Sequence, residues 1–200
     1  MTARRHELAQ WLANPLVVTV VAALLGSFLI PYLTRSWQDH QKALEIKTDL
    51  VGQMSESVGD AVATGRFIAA DLVAPGSEQR EWNDGYRSWT TASASIGAGL
   101  RAYVGSEVGS DWRSFADTVT NFFLLSADND PRSRREQVAA IRRDGDLRRH
   151  VSFTRAGWAA LRAPKSNRDF RLVYPELARG ILRREDELVQ RVLDADVSGF

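Results

Sequence analysis

Cysteine is absent from the 200 residues, which excludes a disulfide framework and any thiolate metal site and leaves the redox compartment open. Lysine is scarce: only three of the 26 basic residues are lysine, a bias that fits a GC-rich genome and names no function, although arginine suits phosphate better. No segment alternates apolar and polar residues beside turn signals, so strands are not expected. Catalytic signatures are missing as well. His6, His40 and His150 are too far apart for a local zinc motif, and none lies in the Glu-x-x-His pattern of the bundle metal sites. Asp128-x-Asp130 starts like a calcium loop, but Ser133 and Ala139 stand where that loop needs glycine and glutamate, so it reads as a helix-capping turn. Ile96-Gly97-Ala98-Gly99 lacks the third glycine and the preceding strand of a dinucleotide fingerprint, and neither a phosphate-binding loop nor a Gly-x-Ser-x-Gly elbow occurs. The glycines there, with Ser93, Ala94 and Ser95, instead suit a close approach of two helices. No cofactor and no catalytic residue is nominated.

Charge is missing from one long stretch. No charged side chain occurs from residue 8 to residue 34, and 11 of the 18 residues from 16 to 33 are Leu, Val, Ile or Phe. As a helix those 18 residues extend roughly 27 Å, near the thickness of a hydrocarbon core. Residues 15–36 are therefore expected to form a transmembrane helix. Asn14 and Pro15 suit its start, and Pro31 is tolerable in its last turn. A cleaved signal peptide is the competing reading; the run is longer than such a core needs, and Ile30-Pro31-Tyr32-Leu33 is a poor cleavage site. Trp11, Tyr32 and Trp37 are placed as interfacial anchors, and residues 1–14 as a short amphipathic segment along the headgroups. Ala22-x-x-x-Gly26 suits close packing of two spans, hence self-association, and Lys47 stands in an otherwise apolar seam just beyond. Arg4 and Arg5 on one side nearly balance Arg35, Lys42 and Lys47 on the other. The further cations downstream favour a cytoplasmic domain on a single-pass protein of the cell membrane.

Residues 37–200 are long enough for one domain with a core of its own. From residue 44 to residue 72, Leu44, Lys47, Val51, Met54, Val58, Ala61, Gly65, Ile68 and Leu72 step by three and four, the stripe of one long helix that Pro75-Gly76 ends. Ser77 is a candidate cap for a returning helix striped by Trp82, Tyr86, Trp89, Ser93, Ile96, Leu100 and Tyr103. Gly105 to Gly109 reads as a connection. Ser110 then caps a third helix with Trp112, Phe115, Val119, Phe122 and Ser126 on its stripe, widened by Phe123 and Leu124. Ser133 and Glu136 have capping-box spacing for a helix carrying Val138, Ile141 and Leu147, with Trp158 and Leu161 in its continuation. A loop runs from Pro164 to Tyr174, and Pro175 opens a last helix with Leu177, Ile181, Leu188 and Val192 on one side. The fold class is all-α: an N-terminal transmembrane helix, then an antiparallel bundle of about four or five helices.

Charge is unevenly distributed along this bundle. Residues 45–84 carry eight acids against Lys47, Arg66 and Arg80, whereas residues 132–155 carry eight arginines against Glu136, Asp144 and Asp146. The simpler expectation is that the two stretches complement each other across the bundle. The functional alternative puts Arg134, Arg135, Arg142, Arg143, Arg148 and Arg149 outside, against anionic lipid, a phosphorylated ligand or an acidic partner. Nucleic acid is not expected, because the net charge is only +1 and the aromatics sit at core spacing rather than among the arginines.

The run LTRSWQDHQKALEIKTDLVGQMSESV, residues 33–58, with the apolar stretch before it, resembles the start of uncharacterised single-pass, membrane-anchored helical proteins of GC-rich bacteria. That likeness covers the first third of the chain and implies no functional residues. The general plan is also similar to the four-helix input domains of bacterial chemoreceptors, which have two spans and a following coiled coil where this sequence shows one span and ends at Phe200. The expected function is a membrane-anchored interaction or scaffold protein, as an accessory subunit of a membrane complex. The partners are then the bilayer, another membrane protein or a second copy of the chain. A tethered sensor with a ligand cavity among Trp82, Tyr86, Trp89 and Trp112 is the alternative, and an enzyme with a site assembled from separate helices is the third.

Overall fold

The computed structural model describes residues 23, 27, 30–70, 77–127, 130–163 and 167–195. They form α1 (Ile30–Ala69), α2 (Glu78–Tyr103), α3 (Ser106–Ala127), α4 (Pro131–Arg143), α5 (Leu147–His150), α6 (Arg155–Arg162) and α7 (Asn167–Asp194), with no strand among them. Trp11, Ala22, Gly26 and most of the expected span lie outside the described residues. Among those that are described, no helix is long and apolar enough to cross a membrane.

The chain divides into a unit of residues 1–45, with Phe200, and a unit of residues 46–199. In the first, Tyr32 and Trp37 are 73% and 65% exposed. The second holds the core. Its α1 residues Leu50, Met54, Val58, Ala61 and Val62 are buried, so the stripe runs through Leu50 where the sequence suggested Val51, which is only half-buried. Leu44, placed on the stripe, is exposed.

Side-chain pairings fix the directions of the long helices. Trp82 meets Phe123, Trp89 donates to Thr120 at 2.9 Å, and Trp112 donates to the carbonyl of Ser93 at 2.8 Å, which makes α2 and α3 antiparallel. Gly85 lies against Thr64 and Gly99 against Leu50, so α1 opposes α2. Gly65 against Tyr174 and Ser55 bonded to Glu185 at 2.6 Å set α1 against α7. Asp111 paired with Arg191 at 2.7 Å and Phe122 stacked on Tyr174 set α3 against α7. Four long helices thus form an antiparallel bundle, as expected, closed by Trp89, Trp112, Phe115, Phe122, Phe123 and Tyr174, each such ring burying on the order of 150–250 Å².

Two glycines explain how closely the helices approach. A Cβ on Gly65 would stand 2.7 Å from the Tyr174 hydroxyl, and one on Gly99 would stand 2.7 Å from a Leu50 methyl. Gly105 has φ +137° and its N–H bonds the Leu100 carbonyl at 2.8 Å, ending α2 with a turn that an L side chain would strain.

The segment between α3 and α7 departs from expectation. Where one helix with a continuation was foreseen, α4, α5 and α6 are separate short pieces. Asp144 ends α4, its side chain taking the N–H groups of Asp146 and Leu147 at 3.0 and 2.9 Å. Thr154 starts α6 by accepting the Gly157 N–H at 3.2 Å. The α4 cap is Asp130, which accepts the Ser133 N–H at 2.8 Å with Pro131 following. Ser133 is therefore not the cap; its hydroxyl accepts from Gln137. The third helix begins at Ser106, one turn before Ser110. The last begins at Asn167 and carries Pro175 inside it, although an interior proline withholds one N–H and crowds the carbonyl four residues before it.

Candidate functional site

The arginine-rich segment occupies α4 and α5. Arg135 and Arg142 are seven residues apart on α4, two turns along one face, and both are exposed. Arg143 and Arg148 are exposed on either side of the Asp144 turn. Arg135 donates back to the Pro131 carbonyl, and the Arg142 guanidinium lies 5.4 Å from the centroid of the Trp158 ring, a cation–π contact that orients the group without neutralising it. Arg134 corrects the sequence reading: it is only 6% exposed, with Nε 3.5 Å from the Leu161 carbonyl, and contributes to the core beneath this surface. Arg149 is exposed but partnered, with Asp146 at 2.6 Å and Glu187 at 3.9 Å.

Among the described residues no ion pair joins this segment to the acidic stretch. The ion pairs of Arg132 and Arg149 run to Glu136, Asp146 and Glu187. The nearby acids serve a buried arginine that the sequence reading missed. Arg184 on α7 is 2% exposed; its Nη2 lies 2.6 Å from Asp146, its Nε 4.0 Å from Asp144 and its Nη1 4.0 Å from Glu187. His150 Nε2 is 3.1 Å from Glu187, and Asp144 also accepts from Thr118 at 3.0 Å. This network fastens the α4–α5 turn to α3 and α7. The carboxylates supply the counter-charge that the buried Arg184 requires, and among the described residues Arg142, Arg143 and Arg148 lie outside the network without an ion pair. A signal for Arg184 was present: the α7 stripe steps 177, 181, 184, 188 and 192, so the gap between Ile181 and Leu188 falls on a charged residue.

Lys47, which its seam position associated with self-association, makes its contacts within the chain. Buried to 4% exposure, it donates to the carbonyls of Leu193 and Ala195, a cation satisfying the end of α7. The foreseen ligand cavity among four aromatics is filled by the rings themselves: Trp82 stacks on Tyr86 at 4.9 Å, and Trp89 and Trp112 are 6.2 Å apart with both indole N–H groups bonded. Burial pushes the Tyr174 hydroxyl well above its ordinary pKa, against the opposing effects of Ser126 and Arg134, and the hydroxyl donates to the Phe122 carbonyl at 3.0 Å. It contributes a hydrogen bond to the core. No cluster of metal-ligating side chains occurs among the described residues. No protein family, curated protein or solved structure matches the chain.

Proposed function

We propose that this chain is a membrane-anchored interaction protein, an accessory subunit whose helical bundle docks an acidic partner protein on Arg135, Arg142, Arg143 and Arg148. The observation that carries the reading is the separation of charge at the α4–α5 turn: Asp144, Asp146 and Glu187 are engaged by Arg184 and Arg149, while those four arginines are exposed and, among the described residues, form no ion pair. Guanidinium groups held on short helices fixed from below are preorganised for carboxylates. The anchor is the apolar stretch of residues 15–36, and the exposed Tyr32 and Trp37 suit its boundary with water. Tethering restricts the search for a partner to one membrane and raises its effective concentration.

A photo-crosslinking side chain at position 143, in membranes of the native cell, tests this. Crosslinking to one discrete protein is expected, declining with salt as the Debye length shortens toward about 3 Å at 1 M and lost when Arg135, Arg142 and Arg148 become Gln. Crosslinks to lipid alone, or a yield indifferent to salt and to the three changes, would sink the proposal.

A further inference from the structure

The acidic stretch has a surface of its own. Asp60 on α1 and Asp84 on α2 line one groove of about 270 Å³ between the two helices, together with the hydroxyl residues Ser57, Thr64 and Ser88 and the ring of Trp89. The helices come close here because Gly85 has no side chain: a Cβ would stand 2.9 Å from a Thr64 methyl. Both aspartates are exposed, no basic side chain lines the groove, and among the described residues neither aspartate has an ion pair. The Trp89 N–H is engaged by Thr120 at 2.9 Å and the Ser57 hydroxyl donates to the Met54 carbonyl at 3.1 Å, so the groove presents mostly acceptors. Glu56 and Glu81, each about one turn from these aspartates, are exposed and extend the acidic surface in both directions.

From this we infer that the acidic partner docked by the arginines is a second copy of this chain, its α1–α2 groove seated on the α4–α5 corner. The inference rests on the proposed reading of Arg135, Arg142, Arg143 and Arg148 as a docking surface, and it names the occupant. Charge complementarity carries it: one molecule exposes cations without an ion pair on one surface and acids without an ion pair on another. A guanidinium, with five N–H donors in a fixed fork, suits a groove whose carboxylates converge from two helices. The two surfaces lie on opposite edges of the bundle, since α1 opposes α2 while α4 packs on α3 and α5 on α7. One copy therefore cannot close the contact on itself. The contact joins unlike patches, so each end of an assembly keeps one open surface and further copies can add head to tail. Anchoring in one membrane raises the effective concentration for this association, which differs from span packing at Ala22 and Gly26 in being driven by charge.

The test places a photo-crosslinking side chain at position 91, exposed about one turn beyond Ser88, in the purified full chain held in phosphatidylcholine vesicles. Crosslinked dimers and larger species are expected, with the linked peptide mapping to residues 131–150 of the other copy. The yield should fall roughly tenfold or more in 1 M salt, in the chain carrying Asp60→Arg and Asp84→Arg, and in the chain carrying Arg142→Glu, Arg143→Glu and Arg148→Glu, as loss of charge-assisted pairs requires. Mixing the two charge-reversed chains, with the crosslinker on the one whose acids are intact, should restore the yield, because each keeps the surface that the other has lost. Should the arginine substitutions at the aspartates prevent folding, Asp60→Asn with Asp84→Asn takes their place and should lower the yield in the same way. Single chains from the wild type, a yield unmoved by the changes at Asp60 and Asp84, or no restoration on mixing overturns the inference. Crosslinking from position 143 to a different protein in native membranes, while purified chains stay single, would overturn this inference and leave the arginine docking surface standing; no protein crosslink from position 143 would sink both.

Discussion

Glu185 and Lys47 show how single residues set the stability of this bundle. Burial raises the pKa of the Glu185 carboxyl, opposed by the hydrogen bond from Ser55 and reinforced by neighbouring Asp186. The folded chain therefore holds that proton more tightly than the unfolded chain, and stability falls as pH rises from the ordinary carboxylate range through the raised value. Glu185→Gln keeps an acceptor for Ser55 and removes the buried charge. It should stabilise the domain on the order of 1 kcal/mol at pH 7 and have little effect near pH 4, which paired thermal melts at the two pH values would read; an equal effect at both would contradict the account. Lys47→Met preserves the apolar stem but leaves the carbonyls of Leu193 and Ala195 without their donor. A loss of about 1–3 kcal/mol is expected in denaturant unfolding, together with faster amide exchange in the last turn of α7.

At the scale of elements, the α4–α5 turn is the most exposed to a single change. Asp144 accepts from Thr118, Asp146 and Leu147 and stands near Arg184, so Asp144→Ala removes a cap and a counter-charge together. Unfolding should lose about 2–4 kcal/mol, and protease cleavage should concentrate after Arg143 and Arg148 if the turn opens first. Asp144→Asn retains the cap but not the charge and should fall between the two; a variant as stable as wild type would show that Arg184 does not depend on this carboxylate. The four long helices should respond less, because their stripes continue for many turns and no one side chain ends them.

For the whole molecule, anchoring by apolar burial and anchoring by charge differ in what releases them. The proposal places residues 15–36 in the bilayer, so the chain should stay with the membrane fraction through high salt and alkaline carbonate, which strip proteins held by screened charge. Leu25→Arg should oppose insertion by about 3 kcal/mol and move a large share of the protein to the supernatant. Release of the unaltered chain by carbonate would refute the anchor while leaving the bundle of residues 46–199 intact as a description.

The all-helical class and the four long helices were legible in the sequence because helix periodicity is a local property. Trp89, Ile96, Leu100, Phe115, Val119, Leu177 and Ile181 return to one face every three or four residues, and each is buried as that spacing required. The division of α4 from α5 was less legible: an aspartate beside a glycine allows a turn, but only the reach of Thr118 and Arg184 from distant helices makes Asp144 a fixed corner. The sequence likewise counted eight arginines in one stretch and had no means of sorting them. Arg134 is buried, Arg149 is paired and Arg143 is exposed, although the three carry the same charge in the same segment. What a charged residue does depends on the desolvation and partners it meets across the fold, and those are set by packing between helices far apart in the chain, whereas the helices themselves follow from neighbours within one or two turns.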